Sequence, residues 1–129
     1  MEITQRTRED FAWLAGILDG EGCFTPQTNG GFLLGIGQSG ESLHEPPELL
    51  VKIKMILSQF SIHSGIRLIN EKRLFTNPNE RPQWRLSVSS FEGVQAIVAF
   101  IWTWLGSVKK SQYLRSLLVN RGVITLAQF

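Results

Sequence analysis

The 129-residue sequence predicts a two-layer α+β domain in which helices cover one face of an antiparallel sheet. Three observations lead there. Runs with helical spacing and runs with strand alternation succeed one another as α-β-β-α-β-β-α-α. The strand-like runs come in pairs joined by polar or glycine-rich links, as antiparallel hairpins require. No linker or low-complexity tract divides the chain. A composition of 43% hydrophobic and 19% charged residues suits one folded domain over residues 1–129.

The first helix is expected over about Thr7–Asp19, capped by Thr7, with Asp10 near the positive end of its dipole. Phe11, Leu14, Ala15 and Leu18 form one apolar stripe, but Trp13 and Ile17 lie on another side. A helix apolar nearly all round needs cover on both sides, and in so short a chain a second subunit is the expected source. Gly16 and Gly20, four apart, admit a closely packed helix, although Gly20 is equally suited to end this one. Strands follow over Cys23–Thr28 and Phe32–Gln38, linked by Asn29-Gly30-Gly31. Pro46-Pro47 opens a second helix with Leu50, Ile53, Leu57 and Phe60 inward and Lys52 outward.

A second strand pair is expected near Ile66–Asn70 and Gln83–Ser89, with a polar loop holding Asn77, Pro78, Asn79 and Pro82 between them. Trp84, Leu86 and Val88 alternate inward against Gln83, Arg85, Ser87 and Ser89. Ser89 and Glu92 make a capping box for a helix carrying Val94, Ile97, Val98, Ile101 and Leu105 at core spacing and stopping near Gly106. Ser107 caps a last helix bearing Lys109, Lys110, Tyr113, Leu117 and Leu118. The outer sheet face, with Thr25, Gln27, Gln83 and Arg85, is polar and free for a partner.

The net charge of +2 conceals a strong asymmetry. Through Glu48, Arg6 and Arg8 stand against eight acids, a balance of −6; from Leu49 onward eleven Lys and Arg face only Glu71, Glu80 and Glu92, a balance of +8. That pattern suits a polyanion-binding face beside a local acidic site. A single cysteine, Cys23, excludes an internal disulfide framework and fits a reducing compartment. The uncharged run from Gly93 to Val108 is too short for a bilayer span, and the N-terminus has no apolar signal region, so an intracellular, non-membrane protein is expected.

Asp19 and Glu21 lie where the first helix meets the first strand, flanked by Gly20 and Gly22. Carboxylates at such a turn can hold Mg²⁺, but one per chain needs a phosphate and a second copy to complete the shell; a plain helix-end acid is the alternative. The segment Leu14-Ala15-Gly16-Ile17-Leu18-Asp19-Gly20-Glu21-Gly22 closely resembles the motif of the LAGLIDADG homing endonucleases. Leu14, Ala15, Gly16, Asp19 and Gly22 match directly, Ile17 and Leu18 fill the hydrophobic positions, and Glu21 replaces the second Asp.

The resemblance implies the family's αββαββα core with an extra C-terminal helix, its antiparallel sheet forming a DNA-binding saddle. It implies a homodimer packed through the motif helices, with Trp13, Gly16, Ile17 and Gly20 at the interface, because the chain has one motif. It assigns Glu21 and the Gly20 carbonyl to a divalent cation, Mg²⁺ or another such as Mn²⁺, and makes Asp19 a structural acid. Gln38, in Ile36-Gly37-Gln38, resembles the polar residue that orders water near the metal. Lys109, with Lys110 as alternative, resembles the basic residue before the last core helix. Glu21, Gln38 and Lys109 are thus the expected catalytic residues. No equivalent of the family's arginine near the second helix is visible, and residues 40–48 are longer and more acidic than the family pattern.

The implied activity is site-specific double-strand DNA cleavage on a long pseudo-palindromic site, across the minor groove with short 3′ overhangs, by an enzyme encoded in a mobile intron or intein-like element. Base reading is expected from Cys23, Thr25, Gln27, Arg67, Gln83, Arg85 and Ser87, and phosphate contact from Lys72, Arg73 and Arg81. The competing function is a non-cleaving module of the same fold, an intron RNA maturase or a DNA-binding regulator. His44 and His63 lack metal-ligand spacing, Cys23 reads as a half-buried strand residue, and Trp102 and Trp104 as core or interface aromatics.

Overall fold

The computed structural model describes residues 4–27, 31–77 and 79–128; the Asn29-Gly30 link and Pro78 lie outside them. Helix α1 (Gln5–Glu21) passes directly into strand β1 (Gly22–Pro26), followed by β2 (Phe32–Ser39), α2 (Glu48–Gln59), β3 (Gly65–Leu68), α3 (Glu71–Thr76), β4 (Gln83–Val88), α4 (Phe91–Ile101), a 3₁₀ turn (Trp102–Trp104) and α5 (Ser107–Asn120), with a final 3₁₀ turn at Leu126–Gln128. The four strands form one antiparallel sheet in the order β1-β2-β4-β3. The expected element order and α+β class hold. The six-residue α3 is additional, set in what the sequence presents as a polar loop.

The period of two in each strand decides which face is dry. Phe24, Phe32, Leu34, Ile36, Trp84, Leu86 and Val88 point into the core, where Phe11, Leu14 and Leu18 of α1, Leu50 and Ile53 of α2, and Val94, Ile97 and Ile101 of α4 meet them. Each such side chain contributes about 1.5–3 kcal/mol on burial. Phe11 stacks on Phe100 with ring centroids 5.0 Å apart and near-parallel planes. Among the described residues no helix is long and apolar enough to cross a membrane.

The helix ends differ from expectation in three places, each for a local reason. Thr4 rather than Thr7 caps α1: the Thr7 N–H donates to Thr4 Oγ1 at 3.1 Å, so the helix gains its first turn upstream. Ser90 rather than Ser89 caps α4, accepting the Gly93 N–H at 3.0 Å, because the chain needs two residues to leave β4, and Glu92 falls one position short of a capping box. Gly106 rather than Ser107 precedes α5, its N–H taken by Asp19. Helix α1 also continues through Gly20, which therefore does not terminate it.

Burial decides two further expectations. Cys23 is exposed, because it alternates with the buried Phe24. Trp102 and Trp104, expected as core or interface aromatics, are 38% and 41% exposed on the 3₁₀ turn, which rules out the core alternative.

Strand β1 is an edge, and α5 closes it with side chains. Gln112 Oε1 accepts the Phe24 N–H at 2.8 Å, and the wholly buried Ser116 hydroxyl faces the Phe24 carbonyl at 3.2 Å and the Gln112 carbonyl at 2.9 Å. The outward N–H and C=O of Phe24 are thus satisfied without a further strand. Replacing Gln112 by Ala strands the Phe24 N–H; urea unfolding should show a loss of about 1–3 kcal/mol with an unchanged m-value.

Candidate nucleic-acid interface and acidic cleft

The outer face of the sheet is a polar groove whose floor is made by glycine. Along β2 the outward positions are Leu33, Gly35 and Gly37, and along β3 Gly65 precedes Arg67. A Cβ at Gly37 or Gly65 would meet nothing within 4 Å, and at Gly35 it would only touch Arg85, so these positions leave depth rather than fill it. The groove encloses about 590 Å³ and its walls include Cys23 and Thr25 of β1, Gln27 just after it, and Arg67 and Arg85 of β3 and β4. Ser87, opposite Gly35, lies on the same face.

Arg67 and Arg85 are direct cross-strand partners. Like charges so placed repel, and among the described residues neither guanidinium has an ion-pair partner. Such a pair is suited to an external anion or to acceptor atoms, which two arginine forks can engage bidentately. Lys72, Arg73 and Arg81 lie off the sheet around α3. Arg73 meets the half-buried Glu80 at 3.5 Å, and Arg81 meets Glu41 at 3.6 Å in an exposed pair that costs little to exchange for a phosphate. Gln83 donates to Ser39 Oγ at 2.8 Å, which fixes it at the end of the groove.

Glu21 is the last residue of α1, exposed, and lines both the groove and an adjoining cleft of about 440 Å³. That cleft also holds Gly37, Gln38, Ser39 and Gln83. The fold therefore brings Glu21 and Gln38 together. Gln38 has the core-facing parity of β2, opposite Trp84, but stands at the strand end, half-buried, where its amide reaches the cleft. Lys109 does not line the cleft. It sits in the first turn of α5, and Lys110 beside it places its ammonium 4.9 Å from the Trp102 ring.

The donors at the end of α1 are all hard oxygens. The Gly22 N–H bonds Leu18 O, and the Gly20 carbonyl belongs to the last turn of α1, at the negative end of the helix dipole, one residue before Glu21. Among the described residues no group of three or more His, Cys, Asp and Glu could hold a metal. One carboxylate, a carbonyl and the Gln38 amide fit a hydrated oxygen-seeking cation shared with a phosphate, and do not fit a tight thiolate or imidazole site. Asp19 points elsewhere, to the Gly106 N–H.

The helix face expected at a dimer interface is open. Cβ atoms at Gly16 and Gly20 would meet nothing within 4 Å, and both residues are exposed, while Trp13 and Ile17 beside them are half-buried. Lys52 of α2 lies 4.1 Å above the Trp13 ring. His44 and His63 are exposed and apart from the cleft.

Sequence reasoning missed two contributors. The glycine floor was visible as Gly35-Ile36-Gly37, but only the strand register shows that both glycines face the groove. Asn70 carries no periodic signal, yet it is buried and clamps the entry to β4, donating to Arg81 O at 2.9 Å and accepting the Gln83 N–H at 2.8 Å.

Known structures share this architecture. The homing endonuclease I-CvuI in complex with its target in the presence of calcium superposes with a TM-score of 0.66 at 20% identity, covering 92% of this chain and 69% of that chain. I-CvuI in complex with the I-CreI target in the presence of magnesium, with the DNA not cleaved, gives 0.64 at 19%, with the same coverage. At that identity the likeness shows the fold. A comparison with curated proteins finds no match. A family model, the LAGLIDADG-like domain, matches residues 8–101, which contain the motif, the whole sheet and α4 but stop short of Lys109. With most of its length under that model, its motif at the helix–strand junction and its sheet in the matching fold, the chain belongs to the LAGLIDADG family.

Proposed function

We propose that this chain is a site-specific, double-strand DNA endonuclease, residues 1–129 acting as one domain and two copies making one enzyme inside the cell. The observation that carries the reading is the continuity of the groove with the acid: the arginine-bearing outer sheet face and the Glu21–Gln38 cleft share Glu21 and Gly37. An antiparallel ribbon of this kind fits a major groove, and Thr25, Gln27, Arg67, Gln83, Arg85 and Ser87 offer donors and acceptors to base edges. Lys72, Arg73 and Arg81 would hold the flanking phosphates.

Glu21 and the Gly20 carbonyl are the groups that would hold Mg²⁺ or a similar cation, which when bound supplies positive charge at the scissile phosphate. Gln38 orients water within the cleft, and Lys109 adds positive charge from α5. Each chain has one such cleft, so cutting both strands needs two chains. The open face at Gly16 and Gly20 supports their meeting through α1, since among the described residues nothing comes within 4 Å of a Cβ placed there.

A plasmid library of candidate insertion sites, incubated with Mg²⁺ or EDTA, tests the reading. Wild type should cut only with Mg²⁺. Glu21→Gln should bind the target with unchanged affinity and cut about 10²–10³-fold more slowly, as for loss of one charge-stabilising group. A wild type that binds DNA yet never cuts gives the function to a non-cleaving module.

Gly16→Leu fills space outside the protomer and improves helix propensity by about 1 kcal/mol. Sedimentation should therefore show a folded single chain that no longer cuts both strands, where wild type sediments as two.

Arg67→Thr removes a cross-strand repulsion and should raise the stability of the free protein by about 0.2–1 kcal/mol in thermal unfolding. The same change should weaken target binding by about 1–3 kcal/mol and relax selectivity at one base pair of each half-site in a binding titration.

A further inference from the structure

Asp19 is the acid of the motif that the proposed chemistry leaves unused, and its surroundings give it another task. Both carboxylate oxygens accept the Gly106 N–H, Oδ1 at 2.9 Å and Oδ2 at 3.2 Å. Gly106 immediately precedes α5, and its own carbonyl accepts the Lys110 N–H at 3.0 Å, closing that helix's first turn. A Cβ on Gly106 would stand 3.0–3.2 Å from the Asp19 carboxylate, so alanine there presses on it and shifts it by a few tenths of an ångström. The other tether on this turn is the Lys110 ammonium over Trp102. It commits Lys110 and leaves Lys109 as the α5 lysine with neither a ring nor a carboxylate partner among the described residues.

We propose that Asp19 is a positioning residue, whose carboxylate fastens the start of α5 to the end of α1 and so sets Lys109 in register with Glu21. The inference rests on the nuclease reading. Asp19 and Glu21 are two residues apart on one helix end, and Gly106 and Lys109 lie within one helical turn. The Gln112 and Ser116 bonds to Phe24 hold the middle of α5 against β1, and the Asp19 bond adds the contact at its first turn, nearest Lys109. A carboxylate bond to a backbone N–H is among the stronger hydrogen bonds. A misplacement of about 1 Å at a catalytic group can cost about 10²-fold in rate.

The test separates an acceptor from a cation ligand. Asn at position 19 keeps an oxygen of the same shape and loses the charge; Ala loses both. In a wild type that cleaves, Asp19→Asn should stay within about threefold of wild-type kcat, while Asp19→Ala falls about 10–10²-fold with an unchanged Kd for target duplex in EDTA. The double variant Asp19→Ala with Lys109→Ala should be no slower than Lys109→Ala alone, since both act through one group. Gly106→Val, whose larger side chain cannot share the space with the carboxylate, should reproduce the kcat loss from the α5 side, and it carries the test if Asp19→Ala does not fold by circular dichroism. Asp19→Asn as inactive as Asp19→Ala, or independent effects of Asp19 and Lys109, overturns the inference. A wild type that binds and cuts nothing overturns the nuclease reading instead.

Discussion

Helix α1 runs into strand β1 without a loop residue, and the placement of every candidate site follows from that junction. Glu21 ends the helix and Gly22 begins the strand. The turn is sterically possible only because Gly22 lacks a side chain: a Cβ there would lie 2.7 Å from Leu18 Cδ2 and 2.8 Å from Leu18 O. Leu18 is itself fully buried, so it cannot retreat without opening the core. The backbone is therefore held at one point against the centre of the molecule, and the helix end and the strand start have no freedom relative to each other.

Four consecutive residues then take four directions, because an α-helix turns about 100° per residue. Leu18 enters the core, Asp19 meets the start of α5, Gly20 leaves an open face, and Glu21 reaches the groove. The fold uses one helix end to join a hydrophobic anchor, an interelement hydrogen bond, a small-residue surface and an exposed carboxylate. The strand that follows has a period of two, so Phe24 returns to the core while Cys23 and Thr25 face the groove. Two periodicities meeting at one residue explain why the acid and the polar sheet face are neighbours.

Much of this was legible beforehand. The apolar stripe Phe11, Leu14, Ala15 and Leu18 is the buried face of α1, and Trp84, Leu86 and Val88 are the buried face of β4, since burial follows directly from spacing. The helix caps were less legible. Thr4 and Thr7, or Ser89 and Ser90, are chemically equivalent as caps, and the choice between them depends on where the preceding chain can reverse. Gly106 takes the cap position before Ser107 because an acid 87 residues away accepts its N–H, a partner that no local pattern reveals. Trp102 and Trp104 read as core or interface aromatics, and the 3₁₀ turn that carries them leaves them exposed, outside the core.

The small net charge follows the same division. Its acidic first part holds Glu21, and its basic remainder supplies Arg67 and Arg85 on the groove and Lys72, Arg73 and Arg81 around α3. By itself the sequence determined the order of elements, the core faces, the family motif and the identity of the acid, because these are set by local spacing and residue type. Only the tertiary structure decided that Arg67 faces Arg85, that Gly35 and Gly37 form one floor, that Gln38 joins Glu21, and that Asp19 serves α5. Those relations depend on strand register and on contacts between residues far apart in the chain, which are fixed only when the whole core closes.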